Sequence, residues 1–368
     1  MELSDEQRML QESAAAYLQD NYSFDQRQAT VRSSEWFSAR QWQQFADMGW
    51  LAMPLPESQG GFDCGPVEIM LLCEQMGRHL VIEPYIETVV QVGELLQRGA
   101  GADVLSHYLP QIGDGSLQAA LAHDERGSQP SLGNVRTRAR ASGDEFVLSG
   151  SKAVVRNGAA ADLFVVSALT DDGVCLFLVD ASADGAGRRC YPTHDGRQAC
   201  DLELTDVRVP ASANLGAAGP LLEAAGNVTL LAACAEAMGS MDALLQGTLE
   251  YTRQRRQFGR SLSEFQVLRH RMTDMFMQAE LNRSLLLAAA RELAADGADS
   301  VRLLSALKAR TVQAGRFVGQ NAIQLHRGIA MTEELKIGHY FKRLTALESW
   351  FGSRDFHLQR FADLAAAG

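Results

Sequence analysis

Residues 221–255 read LLEAAGNVTLLAACAEAMGSMDALLQGTLEYTRQR, and this stretch decides the fold. Alanine and leucine, both strong helix formers, dominate it, and it is longer than a typical globular helix. Two more runs of that kind follow, at 264–295 and 300–324, so the C-terminal part predicts an antiparallel bundle of long helices. Towards the N-terminus the texture changes. Short β-type runs at 135–139, 145–148, 163–166 and 174–179 are parted by Gly/Asp/Ser turns, at the spacing of an antiparallel barrel or sandwich. Runs at 201–204 and 207–210 close that section. Residues 3–117 are helical in spacing, with Met9, Ala14, Ala15 and Leu18 on one helix and Trp42, Phe45, Met48 and Leu51 on another. Ile69, Met70, Cys73 and Met76 mark one side of a third, at 66–78. Pro54-Leu55-Pro56-Glu57-Ser58-Gln59-Gly60-Gly61 precedes it as an ordered loop, because two prolines and paired glycines do not continue a helix. The expected fold class is α+β multidomain: a helical domain at 1–117, a β-domain at 118–220 and a helical bundle at 221–368.

A chain of 368 residues is too long for one compact core and fits two or three domains. With 46% hydrophobic and 21% charged residues it has the ordinary globular mixture. No window reaches the apolar length that crosses a bilayer. Met1-Glu2-Leu3-Ser4-Asp5-Glu6 has no basic stretch followed by an apolar segment, so a cytoplasmic protein is expected. A net charge of −11 argues against a general nucleic-acid binder, though a few local arginines suffice to hold an anionic substrate. Six cysteines (Cys64, Cys73, Cys175, Cys190, Cys200 and Cys234) form no CxxC or His/Cys cluster. They read as small buried apolar residues, and no metal site is expected.

Local motifs sharpen this outline. Leu55-Pro56-Glu57 with Gly60-Gly61 is followed by Glu74-Gln75-Met76-Gly77-Arg78. Gly143-Asp144-Glu145-Phe146-Val147-Leu148-Ser149-Gly150-Ser151-Lys152 leads to Asn157 and Ala161-Asp162, and later to Val207-Arg208-Val209-Pro210. Tyr251-Thr252-Arg253-Gln254-Arg255-Arg256-Gln257-Phe258-Gly259 is followed by Phe265-Gln266. In this order the motifs resemble the acyl-CoA dehydrogenases over essentially the whole chain. The resemblance implies an N-terminal helical domain, a middle antiparallel β-barrel or sandwich, and a C-terminal four-helix bundle. It also implies FAD in a cleft completed by a neighbouring subunit, an acyl-CoA substrate and an electron-transferring flavoprotein as acceptor. Such chemistry needs a carboxylate to take a weakly acidic α-proton, hydrogen bonds to polarise the thioester carbonyl, and a flavin to accept the β-hydrogen as hydride.

Flavin contacts carry over residue by residue. Arg255 matches the arginine that reaches the FAD diphosphate, where a guanidinium fork suits two phosphate oxygens. Phe258 and Gln266 match neighbours of the adenine half. Gln324-Leu325-His326-Arg327-Gly328-Ile329-Ala330 is similar to the family's Gln-x-x-Gly-Gly-x-Gly loop, so Gln324 and Gly328 are candidates, with Arg327 and Ala330 replacing two glycines. Arg327 either adds a phosphate contact or fills the dinucleotide's space. Ser128, in a retained Gly-Ser pair, is a contact for FAD or CoA, while Ala122 and His123 stand where the family has Thr-Glu. Arg156 and Asn157 fall in the segment that faces the isoalloxazine, where Arg156 either steadies reduced flavin or is a surface arginine.

The base is where the sequence departs from the family. Counting back from Gln359-Arg360 puts Ser353 at the usual glutamate position, and aligning on glycine puts Phe351 there. Other members place the glutamate early in the first long C-terminal helix, here near Asn227, with Val228 where an arginine usually follows. Neither serine, phenylalanine nor asparagine is a base. Asp355 and Glu348 are the nearest carboxylates, and Asp355 is the candidate, set against a solvated or helix-capping aspartate. Gly328–Glu334, His339–Leu344 and Phe351-Gly352 resemble the small-subunit branch, including small subunits of pimeloyl-CoA dehydrogenase, which accompanies a larger paralogue. One reading is self-sufficient FAD-dependent α,β-dehydrogenation of an acyl-CoA to the 2-enoyl-CoA. A second is a non-catalytic or half-site subunit of a heteromer, and a third is a flavin-free structural or binding protein. Since the family's flavin site needs a second chain, a homodimer, homotetramer or heterotetramer with a larger paralogous subunit is expected.

Overall fold

A computed structural model describes residues 3–127 and 132–367. The first part of the chain forms α1 (Asp5–Asn21), α2 (Phe24–Arg32), α3 (Ala39–Asp47), α4 (Pro66–His79), a π-helix (Tyr85–Val92), α5 (Gly93–Gly99) and α6 (Ala102–Gly113). Strands follow: β1 (Ala119–Ala122), β2 (Arg138–Ser142), β3 (Glu145–Arg156), β4 (Leu163–Thr170), β5 (Gly173–Asp180), β6 (Ala186–Pro192), β7 (Gln198–Pro210) and β8 (Asn214–Ala217). The remainder is α7 (Ala218–Gln254), a hairpin of β9 (Arg256–Gln257) and β10 (Arg260–Ser261), then α8 (Gln266–Ala294), α9 (Ser300–His326), α10 (Lys336–Ser349) and α11 (Arg354–Ala367). Two compact units emerge. One joins Met1–Ala29, Gly65–Val81 and Leu230–Gly368; the other joins Thr30–Cys64 and Ile82–Thr229.

In the first unit α1 opens on a capping box, with the Ser4 hydroxyl accepting from Gln7 N at 3.1 Å and Gln7 Oε1 accepting from Ser4 N at 3.0 Å. Glycines set how closely α4 and α7 approach. A Cβ on Gly77 would lie 2.0 Å from the Glu236 carbonyl oxygen, and one on Gly239 would lie 1.9 Å from the Glu74 carbonyl oxygen. Both contacts are with backbone, so an added methyl must push the helices apart. Gly77→Ala is expected to cost about 2–3 kcal/mol, read as a lower urea midpoint with an unchanged slope.

The α7 helix corrects one expectation. By length and composition it is apolar enough to cross a membrane, whereas no such window was expected. Its alanine-rich sequence explains both facts, because small apolar residues raise hydropathy and also permit close packing. In this protein 94% of that window is buried against protein. Between α8 and α9, Asn282 is fully buried and its Oδ1 accepts from Thr311 Oγ1 at 2.9 Å.

The second unit is built on a sheet of order β6-β7-β3-β2-β4-β5-β8, with β1 added alongside β4. Its pairings are antiparallel, as the turn-separated runs suggested, except that β1 and the single pair Arg138–Leu169 of β2 run parallel to β4. The 135–139 run contributes only from Arg138 onward, and the 201–204 and 207–210 runs are one strand. Phe146 and Phe177 pack with ring centroids 5.0 Å apart in its core. All eight residues of the π-helix are buried, which leaves no polar face for its carboxylate Glu87 except a pairing within the unit.

Candidate active site

At the end of α7 the chain turns through the β9–β10 hairpin. Phe258 and Gly259 are its two central residues, with φ of +53° and +81°. Two positive φ values are the pattern of a type I′ turn, which favours Asn-Gly; a phenylalanine there is strained. The ring is also 87% exposed. An aromatic side chain that is both strained and wet is costly twice, and such residues concentrate where something else is bound. Phe265 meets Phe258 edge-on at 6.2 Å, and the Arg260 guanidinium lies 4.0 Å over the Phe265 ring.

Arg255 sits at the root of this hairpin. Its backbone N–H donates to Tyr251 O and its carbonyl accepts from Leu262 N, while the guanidinium is exposed and meets no carboxylate among the described residues. Gln266 starts α8 one residue beyond Phe265. The Tyr251 and His326 rings stack at 4.4 Å, which brings the end of α7 beside the end of α9. Gln324, Arg327 and Gly328 therefore share this end of the first unit with Arg255, Phe258 and Gln266. Burial pushes His326 below the ordinary histidine range, so its ring is a neutral packing element. Of the residues that replace glycines, Ala330 is buried, so its methyl points into the protein, and Arg327 is exposed with φ +61°. A Cβ on Gly328 would meet nothing within 4 Å. The combination of an unengaged guanidinium, an exposed aromatic ring and open backbone fits a nucleotide diphosphate.

The candidate base positions look different. Asp355 lies in the first turn of α11 with its side chain 90% exposed, 3.8 Å from Arg354. Ser353 caps that helix by accepting from Phe356 N at 3.2 Å, and Glu348 is paired with Arg316. Each buried carboxylate described meets a cation or donor through at least one oxygen. In the first unit Glu236 is clasped by Arg343, and Glu74 and Asp242 share Arg78 and Arg283. In the second unit Glu87 meets Arg197 through Oε1 at 3.3 Å while its Oε2 is buried with no partner, Glu83 accepts from Ser38 N at 3.3 Å, and Asp195 accepts from Thr193 Oγ1 at 2.5 Å.

Within the second unit, the loop 123–127 is moored by Glu125. Its carboxylate accepts from Lys152 Nζ at 2.7 Å, Thr137 Oγ1 at 2.7 Å, Arg136 N at 2.9 Å and Thr137 N at 3.0 Å. Lys152 also donates to Ser167 Oγ at 3.0 Å, and His123 Nδ1 lies 2.9 Å from the same hydroxyl. With the Thr-Glu pair lost at 122–123, Glu125 is the acid that meets the lysine of the β-domain motif, a role the motif did not reveal. Ser128 lies outside the described residues. Asn157 is buried with φ +58°; its amide donates to Thr88 Oγ1, Gln118 Oε1 and Ala119 O, and its oxygen accepts from Gln198 Nε2 at 2.7 Å. The side chain is thus committed to the fold. Arg156 beside it is half-buried.

Family models match the chain in three consecutive stretches: acyl-CoA dehydrogenase N-terminal domain over 4–116, middle domain over 119–207 and C-terminal domain over 224–365. Acyl-CoA dehydrogenase FadE27 of Mycobacterium tuberculosis is 28% identical, with 88% of this chain and 87% of that protein covered. Cyclohexane-1-carbonyl-CoA dehydrogenase of Geobacter metallireducens is 28% identical, with 80% and 81% covered. A variant of the Tcur3481-Tcur3483 steroid ACAD superposes with a TM-score of 0.89 at 30% identity, covering 99% of this chain and 98% of that one. The ChsE4-ChsE5 complex from Mycobacterium tuberculosis superposes with a TM-score of 0.92 at 24% identity, covering 100% and 99%, which speaks to the fold.

Proposed function

We propose that this chain, which belongs to the acyl-CoA dehydrogenase family, is one half of an FAD-dependent enzyme that oxidises an acyl-CoA to the 2-enoyl-CoA, with the base supplied by a paralogous partner chain. One observation carries this reading: every buried carboxylate described is held by a cation or donor through at least one oxygen, the partnerless Glu87 Oε2 is walled in on the fully buried π-helix, and Asp355 stands almost wholly in solvent. A general base must reach the substrate carbon and keep a free oxygen for its proton. The proteins named above as ChsE4-ChsE5 and Tcur3481-Tcur3483 are two-chain pairs, which supports a paired role here.

FAD, when bound, supplies the hydride-accepting chemistry. What this chain brings is the grip: Arg255 for the diphosphate, Phe258 and Gln266 for the adenine half, and Gln324 on the last turn of α9 with Arg327 and Gly328 just beyond it. An electron-transferring flavoprotein then takes the electrons from the assembled enzyme. The test is to purify the chain alone and after co-expression with a larger paralogue, recording the visible spectrum and acyl-CoA-dependent dye reduction. Alone it is expected to be inactive; with its partner it is expected to be yellow and active. In that complex Asp355→Asn should leave kcat within about twofold, since an exposed surface acid contributes little. Turnover by the isolated chain that Asp355→Asn abolishes would restore the self-sufficient reading.

A further inference from the structure

Cys190 on β6 and Cys200 on β7 are register partners, directly opposite each other across an antiparallel pair. Such residues project from the same face with Cα atoms about 4.5 or 5.5 Å apart, depending on the hydrogen-bonding phase. Both separations lie within the roughly 4.4–6.8 Å that a disulfide spans. Both cysteines are free. Cys190 is half-buried, on the edge strand β6, whereas Cys200 is buried. No other cysteine has this relation among the described strands; Cys175, for example, faces Ala168 and Ala217.

We infer that Cys190 and Cys200 form a reversible oxidation site at which a peroxide converts two thiols into a cross-strand disulfide. Cys190 sulfur attacks one peroxide oxygen, the O–O bond breaks, and water leaves behind a sulfenic acid. Cys200 sulfur then attacks the Cys190 sulfur, its proton joins the departing hydroxyl as a second water, and the S–S bond closes. The peroxide gains the two electrons that the thiols lose, and a dithiol reductant reverses the change. Order follows from access. Cys200 is buried, and burial first, with the neighbouring Cys190 next, pushes its thiol up to about 12, so it serves as the resolving partner. Its Sγ rests against Gly158, where an added Cβ would lie 2.4 Å away, so bond formation turns the Cys200 side chain towards β6.

The site is coupled to its surroundings through the next residue. Asp201 accepts from Arg126 at 2.5 Å, Arg189 at 2.7 Å, Tyr191 at 3.0 Å and Val154 N at 3.3 Å. Val154 is β-branched yet has φ +54°, a strained state held by this clamp. The bond would therefore tighten the strand pair on which a strained segment depends.

The experiment treats the intact chain with hydrogen peroxide, alkylates the remaining thiols under denaturing conditions and digests with trypsin, which cuts between the two cysteines after Arg197. Two of the six thiols are expected to disappear and to return with dithiothreitol, and peptides 190–197 and 198–208 are expected to be joined. Cys190→Ser should keep every remaining thiol, and Cys200→Ala should leave a dimedone-reactive sulfenic acid at Cys190. Survival of all six thiols, links between other cysteines, or a Cys190 inert to dimedone in Cys200→Ala each overturns the proposal.

Discussion

Glu125→Gln is expected to destabilise the second unit by about 3–5 kcal/mol, because it strands the buried Lys152 ammonium without its counter-charge. The lysine side chain is 0% exposed and the glutamate 8%, so water cannot take over the solvation of either. For a unit of this size the loss corresponds to a thermal midpoint lower by about 10 °C. The pH dependence has a definite sign. Burial alone would raise the Glu125 carboxyl, but the bonds from Lys152 and Thr137 outweigh it and hold the group at about 2. The folded value is lower than the unfolded one, so the pair's contribution is complete above the unfolded value of about 4.5 and is lost as pH falls through it towards 2. Wild type and Glu125→Gln should therefore converge in acid. Burial also lowers the Lys152 ammonium, so in the variant raising the pH lets that group go neutral and recovers part of the loss. Replacing both residues by apolar ones of similar volume should restore much of the midpoint. A Glu125→Gln midpoint equal to wild type at neutral pH would show that the loop 123–127 is held by something else.

That ion pair also shows where sequence reading stops. The long helices were legible because their composition and length leave no alternative, and α7, α8 and α9 start and end within a few residues of the expected limits. The β1 strand was not: Ala119-Ala120-Leu121-Ala122 has neither β-branched residues nor alternation, since it is covered on both sides and pairs parallel to β4. Nor was the π-helix, whose unbroken burial hides its period. Arg255 and Phe258 could be picked out because a local motif carries them. Glu125 with Lys152, or Arg283 with Glu74 across 209 residues, could not, since sequence gives residue types but not register or crossing angle. The Cys190–Cys200 relation is of the same kind, visible only once β6 and β7 are paired. Asn157, singled out by its motif as a ligand contact, has its side chain bonded to the π-helix and β1, partners that only the packing reveals.

Glu236→Gln is expected to cost the first unit about 3–5 kcal/mol, for the reason that applies to any buried charge left alone. Arg343 donates through Nε to one Glu236 oxygen at 2.8 Å and through Nη2 to the other at 2.7 Å. The two side chains are 6% and 2% exposed, so both carboxylate oxygens are spent on one guanidinium fork. Trp350 lies with its ring 6.0 Å from that guanidinium, and the Glu236 backbone carbonyl abuts Gly77, so neither partner has room to swing towards water. Arg343→Lys keeps the charge but loses the planar fork, and should fall between wild type and Glu236→Gln. The same geometry separates a structural acid from a catalytic one. If Glu236 were the missing base, Glu236→Gln would abolish turnover in the assembled enzyme even at temperatures where it stays folded. As the anchor of Arg343, it should instead lower activity only in proportion to the folded fraction, with kcat per folded molecule retained. Denaturant midpoints measured beside active-site-normalised kcat distinguish these outcomes, and loss of kcat without loss of stability would move the search for a base back into this chain.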